Sequence, residues 1–127
     1  MMKESGFKMS INYKTNLPEN FPEELVNLAK PLEHLGISEM AWDSDNAIKV
    51  IELLNKNNYA ILGGDVYKMV NGNLDSTYDS WYFNKNETKS NQEFLQLSSN
   101  RAIMYINKYN DINGQNYYYS IVFTESK

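Results

Sequence analysis

Hydrophobic residues recur along this chain with two periods, one typical of helices and the other of strands. A helical stripe begins at Pro22-Glu23-Glu24, a good first turn, and continues to Gly36. Because proline cannot continue the hydrogen-bond ladder, Pro31 predicts a break near Ala29-Lys30 and a fresh turn through Leu35.

Capping residues and apolar spacing also predict two longer helices. Asp43 or Ser44 can cap the first of them. Its predicted inward face consists of Ala47, Ile48, Ile51 and Leu54. Ser90-Asn91-Gln92-Glu93 has the spacing of a capping box, which predicts a long helix from there to about Tyr109.

Alternating apolar residues predict the strands. Residues 1–14 contain one possible N-terminal strand, and residues 59–70 form the most apolar one. Asn71-Gly72-Asn73 is a hairpin signal that predicts a return strand near residues 78–83. A last strand is predicted over residues 117–123.

These elements predict a single α+β domain over residues 1–127, with a small, mainly antiparallel sheet of three to four strands and about three helices packed on it. The apolar fraction of 42% supports a real core. The chain contains no cysteine, which excludes disulfides and thiolate sites. No stretch approaches a membrane span or a signal peptide, so we expect a cytoplasmic protein with no membrane partner.

The stretch Ile61-Leu62-Gly63-Gly64-Asp65-Val66-Tyr67 places two glycines and an aspartate inside a predicted strand. Strict alternation puts Gly64 and Val66 on one face and Ile61, Asp65 and Tyr67 on the other. The glycines allow a helix or a facing backbone to approach closely, or allow a bulge that re-aims Asp65. For Asp65, a hydrogen bond from an amide or indole N–H is favoured over a contact role.

Charge is unevenly distributed along the chain. Between Glu19 and Asp79 there are eleven acidic residues and four lysines, a net charge of −7, whereas the rest of the chain carries +3. This imbalance argues against nucleic-acid binding and favours a basic protein partner, although an acidic face can also serve solubility alone.

The residues of a catalytic or metal site are missing from the pattern. His34 is the only histidine, so a zinc site has no second imidazole. Asp43-Ser44-Asp45 resembles the opening of a calcium loop, but Leu54 stands where the closing glutamate is needed. Asp75 and Asp79 could act as a general acid and base, but in a chain with this many acidic residues a chance pairing is the better explanation. We therefore predict no catalytic residue, no metal site and no cofactor.

Aromatic residues are the remaining candidates for recognition. Trp81 and Tyr82 lie beside the acidic hairpin, and such side chains often anchor protein interfaces. Tyr117 and Tyr119 are better explained as half-buried residues of the sheet.

Four segments of the chain resemble, in content and order, the immunity protein 40 family of bacterial polymorphic-toxin systems. They are Glu39-Met40-Ala41-Trp42, the helix from Ala47 to Leu54, the stretch from Ile61 to Tyr67, and Asp79-Ser80-Trp81-Tyr82. The resemblance covers about residues 22–125 and leaves out residues 1–13. It implies a cytoplasmic α+β protein, encoded beside a toxin, that neutralises the toxin by binding it. A nuclease is a common partner of such proteins.

The pattern and the resemblance together favour an acidic, aromatic-bearing surface for a cognate toxin domain. The predicted partner-binding residues are Asp43, Asp45, Asp65, Tyr67, Asp75, Asp79, Trp81 and Tyr82. Two other classes of function stay open: a small hydrolase working through Asp65 and neighbouring acids, and a small-ligand module with a pocket beside the glycines.

Overall fold

The computed structural model describes residues 17–18, 21–37, 39–85 and 90–125. Its helices are α1 (Glu23–Leu28), α2 (Ser44–Lys56) and α3 (Asn91–Asn113), with a 3-10 turn over Glu33–Leu35. Its strands are β1 (Lys30–Pro31), β2 (Met40–Asp43), β3 (Tyr59–Val70), β4 (Asn73–Tyr82), β5 (Tyr117–Ser120) and β6 (Val122–Glu125). The N-terminal strand predicted within residues 1–14 lies outside the described residues.

The strands form one antiparallel sheet in the order β1-β2-β5-β3-β4, with β6 also paired to β3. Strand β3 is central: β4 runs along one side of it, and β5 and β6 share the other. The α+β class is confirmed, but within the described residues the sheet has six strands rather than three to four. The sequence missed β1 and β2, and the predicted last strand is divided at Ile121.

The helix boundaries follow local signals in the chain. Helix α1 ends at Leu28, as Pro31 predicts, and the 3-10 turn ends at Gly36 with φ of 75°. The Asp43 carboxylate accepts a hydrogen bond of 3.0 Å from the Asn46 amide and caps α2. At the start of α3, the Ser90 hydroxyl accepts one of 3.1 Å from the Glu93 amide.

Helices α2 and α3 pack on one face of the sheet and bury the main core there. On this side Trp42 and Tyr119 are cross-strand neighbours, and the Trp42 indole N–H donates a 2.7 Å hydrogen bond to the carbonyl of Leu25 in α1. A smaller cluster of Leu32, Ala41, Tyr67 and Leu74 forms a separate part of the core. Residues of β3 therefore contribute to both clusters.

The β3–β4 hairpin turns at Asn71 and Gly72, which have φ of 52° and 86°. Strand β4 begins at Asn73, five residues before the predicted return strand. The early part of β4 is polar and mostly exposed, so it carries no hydrophobic alternation that would mark it as a strand.

The prediction that side chains alternate strictly between the two faces of β3 is wrong. Ile61 and Val66 belong to the same buried cluster, although a regular strand would place them on opposite faces. The pairing of β3 with β6 shifts between Ile61 and Gly63, so that Leu62 is an extra residue on β3. An extra residue changes which later side chains share a face.

Candidate partner-binding surface

The two glycines of β3 make room for the neighbouring Trp81. Gly64 is paired with Trp81 on β4, and a β-carbon at Gly64 would collide with the Trp81 ring and with the carbonyl oxygen of Ser120. At Gly63, φ is 154° and a β-carbon would meet the Trp81 carbonyl oxygen. The close-approach interpretation is therefore confirmed, although the approaching groups are a tryptophan ring and backbone rather than a helix.

Trp81 is half-buried and packs against the main core. Its ring stacks on Tyr105 of α3, with ring centroids 5.0 Å apart. Its indole nitrogen is buried and has no hydrogen-bond partner among the described residues. Trp81 thus supports the junction between β4 and α3, which makes it a poor choice for a free surface anchor.

Asp65 lies on the surface, and its role as a hydrogen-bond acceptor for an amide or indole is not seen. Within the described part of the chain, its carboxylate receives no hydrogen bond, whereas its backbone amide donates one of 3.2 Å to the Ser120 hydroxyl. The Asp65 side chain therefore adds negative charge to the surface and does not hold the β3 backbone in shape.

Tyr67 is 2% exposed and packs in the smaller cluster with Leu32 and Leu74. Burial raises the pKa of its hydroxyl, and the nearby carboxylates of Asp65 and Glu39 raise it further, while a hydrogen bond with Ser120 acts in the opposite direction. Because its ring is hidden in the core, Tyr67 cannot anchor a partner from the surface.

Glu39 is a charged group that the sequence analysis did not select. Its side chain is half-buried, and burial, followed by the charge of Asp65, raises its pKa above the ordinary 4.5. A pocket of about 230 Å³ beside it is lined by Leu17, Glu39, Met40, Trp42, Ile121, Val122 and Phe123. A second pocket of about 320 Å³ includes Gly63, Gly64, Asp65, Ser80, Tyr82 and Val122 in its lining.

The predicted acidic residues do not form one compact patch. Asp43 is half-buried as the cap of α2, and Asp45 is exposed in the first turn of that helix. Three neighbouring pairs cross the sheet from Asp43 to β4. Asp43 of β2 pairs with Tyr118 of β5, Tyr118 pairs with Tyr67 of β3, and Tyr67 pairs with Ser76 of β4. Three strand spacings separate Asp43 from β4, about 14 Å.

Strand β4 carries three predicted residues along the edge of the sheet. Asp75, Asp79 and Tyr82 are all exposed, and 76% of Tyr82 is accessible. Asp75 faces Lys68 on β3. We call Asp75, Asp79 and Tyr82 the β4 surface.

A bulge lies in the middle of this strand. Asp65 pairs with Ser80 and Tyr67 pairs with Ser76, so residues 77–79 of β4 stand opposite the single residue Val66. At the centre of the bulge, Tyr78 has φ of 67° and is 93% exposed. The bulge therefore projects a large aromatic ring away from the protein.

Three hydrogen bonds, two within β4 and one from β4 to β3, hold the bulge in shape. The Thr77 hydroxyl donates to the Val66 carbonyl at 2.8 Å and accepts from the Asp79 amide at 3.1 Å. The Tyr78 amide donates to the Ser76 hydroxyl at 3.0 Å. These contacts leave the Tyr78 backbone little freedom.

A tyrosine cluster supports the bulge from α3 and β5. Tyr109 packs against Tyr105, Tyr117 and Tyr119, and its hydroxyl donates a 2.8 Å hydrogen bond to Asp79. Burial is the main cause of the raised pKa of Tyr109, and the bond to Asp79 raises it as well. Burial also raises the pKa of Tyr105 and Tyr119. Tyr105, Tyr109 and Tyr119 are therefore uncharged at neutral pH.

Sequence reasoning placed Tyr78 at the start of the return strand and counted it among the aromatic residues, but it did not select Tyr78 as a partner-binding residue. The run Asp75-Ser76-Thr77-Tyr78-Asp79-Ser80 did carry a signal, because short hydroxyl and carboxyl side chains bond to nearby backbone amides and favour turns over regular strands. The register shift itself depends on pairing with β3 and has no local signature.

The histidine, the possible metal ligands and the helices are the remaining features of the described residues. His34, the only histidine, has its Nε2 atom 2.6 Å from the carbonyl oxygen of Leu74. In the described ranges, no three acidic or histidine side chains are placed to hold a metal ion. None of the described helices combines the length and apolarity needed to cross a bilayer.

Comparison with known proteins identifies the family. The immunity protein 40 family matches residues 31–123, from within β1 into β6, so the match includes the glycine step and the whole of β4. Helix α1 lies outside the match. Neither a curated protein nor a solved structure matches the chain. The extent of the family match shows that this chain belongs to the immunity protein 40 family.

Proposed function

We propose that this protein neutralises a cognate toxin by binding it directly through the β4 surface, in the cytoplasm of the bacterium that makes the toxin. The observation that carries this proposal is the exposed edge strand with two carboxylates and an aromatic ring, in a chain of the immunity protein family. An inhibitor of this kind needs a complementary surface and no chemistry of its own.

Charge supports the choice of a basic partner. The segment from Glu19 to Asp79 has a net charge of −7, and Asp75 and Asp79 place part of it on an exposed edge. Negative charge accelerates encounter with a positive protein surface. A nuclease toxin fits this requirement, because proteins that bind nucleic-acid phosphates are rich in lysine and arginine.

Exposure decides which predicted residues remain in the proposal. Asp75, Asp79 and Tyr82 form its centre, and Asp45 and Asp65 contribute surface charge. Asp43 has a structural role as a helix cap, and Trp81 and Tyr67 belong mainly to the core. We therefore propose the exposed Tyr82, rather than Trp81 or Tyr67, as an aromatic contact of this surface.

A small hydrolase or ligand-binding module is the second candidate, and one observation favours it. The raised pKa of Glu39 next to Asp65 is the type of shift that a general acid requires, and a pocket adjoins each residue. Burial is the first cause of that shift, however, and structural carboxyls share this behaviour. Glu39→Gln should leave toxin protection intact if this candidate is wrong, because Glu39 lies outside the β4 surface.

Growth protection tests the main proposal. Cells expressing the toxin encoded beside this gene should grow when the wild-type protein is present. Purified Asp75→Asn/Asp79→Asn protein should associate more slowly with the inactivated toxin domain and show a flatter salt dependence. Tyr82→Ala should mainly accelerate dissociation.

Matched control variants separate the effect of charge on the β4 surface from the effect of total charge. Glu23→Gln/Glu24→Gln removes the same charge from α1, outside the family match, and should leave the association rate near that of wild type. Asp43→Asn/Asp45→Asn tests whether the surface extends across the sheet. Absence of protection by wild type would refute the immunity role, whereas equal rates for the β4 variant and the α1 control would refute this surface.

A further inference from the structure

We propose that Tyr78 is the main anchor of toxin binding, inserting its ring into an apolar pocket with a basic rim on the toxin. This inference rests on the proposed function and names a contact residue that neither the sequence pattern nor the family match assigns. It follows from the exposure of the ring, the conformation of its backbone and the rigidity of its support.

The Tyr78 side chain makes almost no contact with its own protein. It is 93% exposed, more than any other large hydrophobic side chain of the described residues. Among those residues, its ring stacks on no other aromatic ring, and its hydroxyl forms no hydrogen bond. A tyrosine ring has a large apolar area and a polar tip, so a partner that covers it gains binding energy.

The backbone of Tyr78 is in a conformation that its residue type disfavours. Its φ of 67° lies in the left-handed region, where the β-carbon of a bulky residue is crowded. In the described part of the chain, the other non-glycine residues with positive φ are Asn58 and Asn71, and asparagine tolerates this region far better. Glycine or asparagine at position 78 would suit the fold better, so the aromatic ring is retained at a cost to stability. Such outliers are concentrated at functional sites.

The bulge also fixes, before binding, the backbone that carries the ring. The Tyr78 and Asp79 amides donate hydrogen bonds to the Ser76 and Thr77 hydroxyls and fix the backbone on either side of Tyr78, and Tyr109 holds the carboxylate of Asp79. A tyrosine side chain on a fixed backbone has only two rotatable angles to order. Little entropy is lost when it binds, which is a property of good interface anchors.

The surroundings of Tyr78 specify the chemistry of the partner. Asp79 follows it directly, and Asp75 is exposed three positions earlier. An exposed ring with carboxylates before and after it in the chain complements a pocket with an apolar centre and a basic rim. The bulge interrupts the regular strand at residues 77–79, so a partner strand cannot extend the sheet continuously along this edge. Recognition therefore occurs through side chains rather than by strand addition.

Three variants at position 78 separate binding from stability. With the inactivated toxin domain as the probe, Tyr78→Ala and Tyr78→Gly should each weaken binding by about 30-fold or more, mainly through faster dissociation. Tyr78→Phe should retain most of the affinity, because it keeps the ring. Tyr78→Gly should melt at a higher temperature than Tyr78→Ala, since glycine relieves the crowding at positive φ.

Asn58→Gly is the matched control, because Asn58 is exposed and has a similar φ of 69°, but it lies in the turn after α2. This variant should bind the toxin like wild type. If the wild-type protein binds but Tyr78→Ala stays within about 3-fold of it, the anchor role is overturned. A lower melting temperature for Tyr78→Gly than for Tyr78→Ala would overturn the argument that the ring is kept at a cost. Absence of binding by wild type would instead refute the proposed function.

Discussion

The ring of Trp81 occupies the space into which a β-carbon at Gly64 would project. This relationship explains why glycine occurs inside the most apolar strand of the chain. It also connects β3 to α3, because the same ring stacks on Tyr105. A side chain at position 64 would therefore disturb the support of β4 as well as its pairing.

Gly64→Ala should destabilise the fold by about 1 to 3 kcal/mol, because the new methyl group would collide with the Trp81 ring and the Ser120 carbonyl. Urea denaturation would measure the loss. Gly72→Ala is an informative comparison: apart from the adjacent residues, no atom lies within 4 Å of the position of the new β-carbon, but the φ of 86° is unfavourable for alanine. Gly72→Ala should cost about 1 kcal/mol. A Gly64→Ala protein as stable as wild type would contradict the close contact.

Trp42→Phe should cost about 1 to 3 kcal/mol and loosen α1. The Trp42 indole N–H donates to the carbonyl of Leu25, which lies in the last turn of α1 and has no later helical amide to accept from. Trp81→Phe is the control, because its indole nitrogen has no partner among the described residues. Hydrogen exchange of the α1 amides should increase in Trp42→Phe and stay near the wild-type rate in Trp81→Phe.

Glu39→Gln should stabilise the protein slightly at neutral pH. Burial and Asp65 raise the pKa of Glu39 in the folded state, so ionisation of this carboxyl opposes folding above that pKa. The gain should disappear as the pH falls below 4.5, where the carboxyl is protonated in both states. Denaturation curves at several pH values would show this convergence. A gain that persists in acid would point to packing rather than charge, and Asp65→Asn should reduce the gain.

Local signals in the sequence were sufficient for the elements that carry their own caps and turns. The cap at Asp43, the capping box at Ser90 and the turn at Asn71-Gly72 all lie within a few residues of the element they define. Strand β2 was missed because apolar and polar residues do not alternate along it. Both of its faces are buried: Met40 and Trp42 pack in the main core, and Ala41 packs in the smaller cluster on the other face. Its partner β5 lies far away in the sequence.

The candidate surface was only partly predictable for a related reason. Whether Tyr67 or Tyr82 is exposed depends on which side chains share a face, and register shifts beside β3 change that assignment. Asp75, Asp79 and Tyr82 were found from charge and residue type, whereas Tyr78 becomes distinctive only through its φ and its exposure. Both properties arise from pairing between strands and cannot be derived from residue type alone.

Two tyrosines of the cluster beneath the bulge should respond differently to the same substitution. Tyr109→Phe removes the hydrogen bond to Asp79 and should cost about 0.5 to 1.5 kcal/mol. Tyr119→Phe should be neutral or stabilising by up to about 1 kcal/mol, because the Tyr119 hydroxyl is buried without a partner among the described residues. Thermal denaturation of the two variants would measure this difference.

The same pair of variants tests whether the support of the bulge matters for binding. Tyr109→Phe frees the Asp79 side chain and should weaken binding to the inactivated toxin domain, because the residue beside Tyr78 is then less well ordered before contact. Tyr119→Phe has no hydrogen bond to lose and should bind like wild type. If the two variants bind equally well while differing in stability as expected, the Tyr109–Asp79 bond stabilises the fold alone, and the preorganisation of Tyr78 depends on the β4 backbone contacts.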